Sequence, residues 1–176
     1  MRLLQALSTL VFFLLLAASA WKASVLEDAC KSFAATHKDV GYDYCVKFFQ
    51  ADNGSATADK RGLAAIGVKI TAAAAKKIAG HIAALRAAEK KDKRKLACLS
   101  SCAELYSDAL GEIGVAARGI ASGGLGNAVT ALSAVVDAPG TCEEGFEELD
   151  VPSPLAAEDD EFGKGAAITL CVTAAA

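Results

Sequence analysis

The chain has 176 residues, is 53% hydrophobic and carries a formal charge of −3. That length suits one domain with a real core, and the mild acidity excludes the basic footprint expected of a nucleic-acid-binding protein. Much of the apolar fraction is alanine and only 6% of residues are aromatic, a balance that favours helix over strand and points to an all-α protein.

The first 20 residues read as a secretory signal peptide. Arg2 gives a positive start, Leu10 to Leu16 an apolar run, and Ala18-Ser19-Ala20 a small-residue cleavage pattern. The run is too short to span a bilayer, and the later Ala-rich stretches are interrupted by charges. The expectation is a secreted chain with no membrane association after cleavage and a mature charge of −4, since Arg2 leaves with the leader. In an oxidising compartment six cysteines imply a disulfide framework. A zinc site built from Cys98, Cys102 and one of the two histidines lacks any paired CxxC or His-x3-His spacing, so no metal and no cofactor is expected.

Residues 21–54 pattern as an αα-hairpin. Phe33 and Ala34 follow Cys30, and Val46, Phe48 and Phe49 follow Cys45, at helical spacing, while Lys38, Asp39 and Gly41 supply turn chemistry. If Cys30 and Cys45 are joined, the loop of about 15 residues is worth about 3 kcal/mol in the chain-entropy model. Asn53-Gly54-Ser55 is a glycosylation sequon in a turn, so Asn53 is expected to carry a glycan. Ser55 or Thr57 is the expected cap of the next helix.

Residues 55–176 pattern as four helices. From about Thr57 to Glu89, Leu63, Ile66, Ile70, Ala74, Ile78, Ile82 and Leu85 recur on one face; the helix would be roughly 50 Å long. The run from Glu89 to Lys95 reads as a solvated connection. From about Lys95 to Ala121, Leu99, Cys102, Tyr106, Ala109, Ile113, Ala116 and Ile120 form a heptad-like seam, with Cys98 one turn before Cys102. Ser122-Gly123-Gly124 permits a left-handed cap. Leu125, Val129, Leu132, Val135, Cys142, Phe146 and Leu149 mark a third helix, in which Pro139-Gly140 predicts a kink or short break. Core cysteines on these successive antiparallel helices are natural partners, with Cys98 and Cys102 both candidates for Cys142. Val151-Pro152-Ser153-Pro154 is a loop. The last helix, Ala156 to about Ala174, presents Phe162, Ala166, Leu170 and Thr173, with Cys171 beside that face. Cys171 either bridges Cys98 or leaves both as free thiols.

Short connections between four helices predict an up-down-up-down bundle preceded by a stapled hairpin. In that topology the basic turn from Lys90 to Lys95 and the acidic span from Glu143 to Glu161 share one end and should screen each other. An enzyme is hard to build here. His37 and His81 read as surface residues without a nucleophile motif, and the acids are too many to single out a pair.

Particular words of sequence then combine. They are Tyr42-Asp43-Tyr44-Cys45-Val46, Ala58-Asp59 followed by Gly62-Leu63-Ala64, the stretch from Cys102 to Ala109 (CAELYSDA), Leu132-Ser133-Ala134, the stretch from Thr141 to Phe146 (TCEEGF), and Ser153-Pro154-Leu155. In this order they resemble the plant invertase and pectin methylesterase inhibitor family over essentially all of the mature chain. The wording around Tyr42 and Cys142 is similar to a pollen-protein subgroup that carries an invertase-inhibitor label.

The resemblance implies a four-helix bundle with a stapled hairpin, a Cys30–Cys45 bridge, a Cys102–Cys142 bridge, and no place for Cys98 in the common framework. It implies an inhibitor in the cell wall that occludes the cleft of pectin methylesterase or of acid invertase. Where some invertase inhibitors carry Pro-Lys-Phe this chain has Leu125-Gly126-Asn127, which ranks pectin methylesterase first and cell-wall or vacuolar acid invertase second. No short motif marks the inhibitory interface. A non-inhibitory extracellular ligand-binding bundle is the reading from another class, and it requires a cavity that small Ala-rich cores tend to close.

Overall fold

A computed structural model describes residues 25–176. The signal-peptide reading of residues 1–20 therefore lies outside the described residues, which are helical wherever they are regular. Helix α1 runs through 25–36 and α2 through Gly41–Phe49; a 3-10 turn at Ser55–Thr57 then leads into α3 (Lys60–Ala88), α4 (Lys93–Ser122), α5 (Leu125–Glu148) and α6 (Ala156–Ala174).

Helix α3 packs on α4 and α6, and α5 packs on the same two, so α3 and α5 occupy one diagonal of the bundle and α4 and α6 the other. Helices α3 and α4 start at aspartate caps. Asp59, not Ser55 or Thr57, caps α3 by accepting from the Gly62 amide at 2.8 Å; Ser55 is instead buried in the 3-10 turn. Asp92 caps α4 through the amides of Arg94 and Lys95. The α4–α5 joint is the expected left-handed one: Gly123 has φ +81° and donates to Ile120 O, while Gly124 donates to Gly119 O at 2.8 Å.

The α4 seam is buried as its spacing predicts, from Leu99 through Cys102 and Tyr106 to Ile120. Helix α3 is turned slightly from its expected face. Leu63, Ile78 and Ile82 are buried, but the inward stripe is completed by Ala64, Gly67, Val68, Thr71 and Ala75, and Ile66, Ile70, Ala74 and Leu85 are only half-buried. The reason is close packing on α6. A Cβ on Gly67 would stand 3.0 Å from Thr169 Oγ1, and Thr169, which donates to Gly165 O, accepts the buried Thr71 hydroxyl at 2.8 Å.

Of the kink or short break expected at Pro139-Gly140, the break does not occur: α5 stays helical through Pro139. The Pro139 ring is buried against α6 at Gly163, where an added Cβ would stand 3.5 Å from it. A proline removes one helical hydrogen bond, and the long helical arms on both sides carry the rod across it. Leu149 is 40% exposed and not part of the seam.

The basic turn and the acidic span do share one end, where Arg94 donates to the Leu149 carbonyl at 3.2 Å. They do not screen each other through direct ion pairs among the described residues. Lys95 instead pairs with Glu89 of its own turn at 3.7 Å, and the Lys91 and Asp92 amides donate to Glu89, holding its carboxyl below the usual range.

The hairpin lies on α6. Tyr44 donates to Glu161 Oε2 at 2.7 Å, Lys164 sits 5.7 Å from the Tyr44 ring centre, and Phe48 covers Gly165 closely enough that a Cβ there would meet it at 2.9 Å.

Candidate functional site

Two disulfides brace this frame. Cys30 and Cys45 are joined across the hairpin with Cα atoms 5.5 Å apart, and Cys102 and Cys142 tie α4 to α5 at 4.9 Å. Cys98 and Cys171 are free thiols, so the bridge considered between them is not formed. Topology forbids it. Cys98 lies in the second turn of α4 near the end where α6 begins, whereas Cys171 lies near the far end of α6, and the two helices are diagonal. Tyr106 meets Phe162 across this diagonal, and Cys98 lies 8 residues before the one and Cys171 9 after the other, an axial offset of about 25 Å at 1.5 Å per residue, well beyond disulfide reach. The Cys98 thiol is buried and donates to Gly145 O at 3.3 Å. Burial raises the pKa of both thiols.

Asn53 sits exposed in the turn between hairpin and bundle. The turn is held by Asp52, which accepts from the Gly54 amide and pairs with Lys69 at 2.8 Å; that lysine and amide keep the Asp52 carboxyl below its usual range. Leu125, Gly126 and Asn127 are the first turn of α5 rather than a loop. His37 stacks on Phe33 with ring centres 4.4 Å apart. His81 faces Glu158 with Nδ1 3.0 Å from Oε2, and His37 Nδ1 lies 2.9 Å from the hydroxyl of Thr36, which is also within reach of Phe33 O.

The chemically distinctive cluster lies where α4, α5 and α6 meet. Tyr106 is fully buried and donates to Asp159 Oδ1 at 2.5 Å. Asp159 is 2% exposed, and its Oδ2 has no hydrogen-bond donor. Glu143 lies against Asp159, and its Oε1 receives the Ser153 hydroxyl at 2.6 Å, while Ser153 Oγ accepts the Leu155 amide. Loss of solvent, then the Glu143 carboxyl, push Asp159 up to about 7; the Tyr106 hydroxyl works the other way. Burial and the Asp159 carboxylate together raise the Tyr106 pKa. Below that point Asp159 itself carries a proton, and above it the ionised carboxyl lies against Glu143.

Sequence reasoning missed this cluster because Tyr106 read as core and Asp159 as one acid among many. The usable signal was the register of α6: Asp159, Phe162, Ala166, Thr169 and Thr173 are all buried and lie three or four residues apart, so an acid stands on an apolar stripe.

Two pockets lie beside the first half of α6. One of about 390 Å³ lies between the hairpin turn and the α5–α6 face and is lined by His37, Asp39, Pro139, Glu143, Asp159 and Lys164, among others. The other, about 410 Å³, is walled by Phe48, Ile70, Ala74, Ile78 and Phe162 with Lys77 and Glu161 at its rim. Charge is segregated around the bundle. Helix α3 carries Lys60, Arg61, Lys69, Lys76, Lys77 and Arg86 and no acid, whereas α5 on the opposite diagonal carries Asp137, Glu143, Glu144, Glu147 and Glu148 and no base. The α4–α5 groove is lined by Glu104, Asp108, Glu144 and Glu148, none of them ion-paired among the described residues. Such segregation orients an approaching protein.

The family model described as plant invertase/pectin methylesterase inhibitor matches residues 24–174. This chain belongs to that family. A relative from Platanus acerifolia named "Putative invertase inhibitor" is 32% identical over 170 residues, covering 94% of each chain. A "Pectinesterase inhibitor" from Actinidia deliciosa is 32% identical over 114 residues, covering 63% of this chain and 60% of that one. The solved structure of a pectin methylesterase inhibitor from Arabidopsis thaliana superposes with a TM-score of 0.62 at 20% identity, over 86% of this chain and 95% of that one; a mutant form from Arabidopsis gives 0.67 at 22% identity, over 76% and 88%. These structures share the helical-bundle fold described above. The family is one of inhibitors, and the chain is an inhibitor-family protein, not an enzyme.

Proposed function

We propose that this protein is a secreted inhibitor of pectin methylesterase that acts by covering the enzyme's catalytic cleft. The supporting observation is at the start of α5, where Leu125-Gly126-Asn127 form an ordinary helical turn opened by Gly124 and offer no projecting basic-aromatic loop for an invertase site. Bracing by two disulfides and a continuous core gives a preformed surface, so little ordering entropy is lost on docking.

The second reading is inhibition of cell-wall or vacuolar acid invertase, favoured by the name of the Platanus relative, which aligns with nearly all of the chain. A carrier of small ligands is disfavoured because the core cluster is contiguous through all four bundle helices and the pockets lie at its surface.

The deciding experiment titrates purified mature protein against pectin methylesterase and against cell-wall and vacuolar invertases at mildly acidic pH. Inhibition of the methylesterase alone is expected. Inhibition of invertase alone reverses the order, and inhibition of none overturns both readings. Secretion belongs to the same proposal, with removal of residues 1–20 and a glycan on exposed Asn53. Among the described residues no helix is long and apolar enough to cross a membrane. Mass spectrometry of the secreted protein before and after deglycosylation checks the new N-terminus and the Asn53 glycan together.

A further inference from the structure

We propose that the Glu143–Asp159 pair, with Ser153 beside it, is a binding site for a hard divalent cation of the calcium class. Asp159 is 2% exposed, yet its Oδ2 has no donor. A buried carboxylate oxygen left in that state is costly. A carboxylate oxygen of Glu143 lies no more than 4.8 Å from one of Asp159, so both can reach one cation at about 2.4 Å. Cys142 Sγ falls in the same radius, but it is locked in the bridge to Cys102 and is no thiolate. The usable donors are therefore oxygens, which select calcium-like ions over zinc.

The surroundings fit a cation. The pocket of about 390 Å³ reaches both carboxyls, and its walls add Asp39 and Asp160. Its lysine, Lys164, is held by Asp160 at 2.6 Å and by Glu161 at 3.6 Å. His37 is turned onto Phe33 and Thr36. Ser153 Oγ, 2.6 Å from Glu143, offers a further oxygen, and water entering by the pocket would complete the shell. With few charged ligands the affinity belongs to the weak class, on the order of 10⁻⁴ to 10⁻³ M.

Tyr106 provides the readout, because its hydroxyl rests on Asp159. Terbium is the probe. The mature, chelator-treated protein is titrated with Tb³⁺ in phosphate-free buffer above neutral pH, tyrosine is excited and terbium emission is followed. Saturable emission is expected, displaced by about 10 mM Ca²⁺.

Asp159→Asn and Glu143→Gln should each weaken terbium binding by more than about tenfold, as loss of one charged ligand predicts. Tyr106→Phe should lower the sensitised emission, with Tyr44 beside Lys164 left as a second antenna, while calorimetry detects the ion at unchanged affinity. A Glu144→Gln/Glu148→Gln variant in the α4–α5 groove should match wild type. Absence of emission in the wild type, failure of calcium to compete, or unchanged binding in both carboxyl variants with native helical circular dichroism would overturn the site. Enzyme inhibition is not part of the readout, so the outcome stands apart from the choice of target.

Discussion

Replacing Asp159 by Asn should make the metal-free protein more stable at neutral pH, not less. An aspartate in an unfolded chain ionises near 3.9, whereas in the folded protein burial and Glu143 push Asp159 up to about 7. The folded state thus keeps a proton that the unfolded chain gives up between those values. Stability is full below about pH 4, falls through the window, and is lowest above about pH 7. At about 1.4 kcal/mol for each pH step the loss across the window is about 4 kcal/mol. An asparagine accepts from Tyr106 with its carbonyl and donates to Glu143 with its amide, so both partners stay satisfied without a buried charge. Urea unfolding from pH 4 to pH 8 in chelator-containing buffer should show the variant gaining up to about 4 kcal/mol at pH 8, little at pH 4, and losing most of the pH slope. A variant less stable than wild type at pH 8, or one that keeps the slope, would refute the argument.

Three further predictions concern the frame. The Cys102–Cys142 bridge closes 40 residues and Cys30–Cys45 closes 15, worth about 4 and 3 kcal/mol in the chain-entropy model; Cys102→Ser should lower the melting temperature of the whole bundle, while Cys30→Ser should chiefly expose the hairpin to limited proteolysis. Equal thermal losses would count against that division. Alkylation of the unreduced protein in denaturant should label Cys98 and Cys171 only, and in the native state Cys171 should react first because Cys98 is buried; peptide mapping decides this. Gly67→Ala should cost about 1–3 kcal/mol by denaturant unfolding, since the new methyl would meet Thr169 at 3.0 Å and disturb its bond with Thr71. A neutral result would mean that α3 and α6 have room to separate.

The secondary structure was legible because each helix announces itself locally. Large apolar residues at three- and four-residue spacing marked the inner face of α4 from Leu99 to Ile120, and the glycines at 123 and 124 marked its end. The same reasoning placed Ile66, Ile70 and Ala74 of α3 too far inward, because the residues that face α6, Gly67 and Thr71 among them, carry little hydrophobic signal. Their role depends on how closely two backbones approach, and that distance is a property of the pair of helices.

The amino-acid sequence by itself determined the all-α class, the order of the helices, and the words that mark the inhibitor family, since these follow from periodicity, turn chemistry and residue identity along the chain. Only the tertiary structure decided that α5 continues through Pro139, that Cys98 and Cys171 lie too far apart to pair, and that Tyr106, Glu143, Ser153 and Asp159 meet. Those outcomes depend on groups distant in sequence sharing one desolvated volume, where a glycine's missing side chain or a neighbouring carboxyl changes the energy of a residue that looks ordinary in its local context.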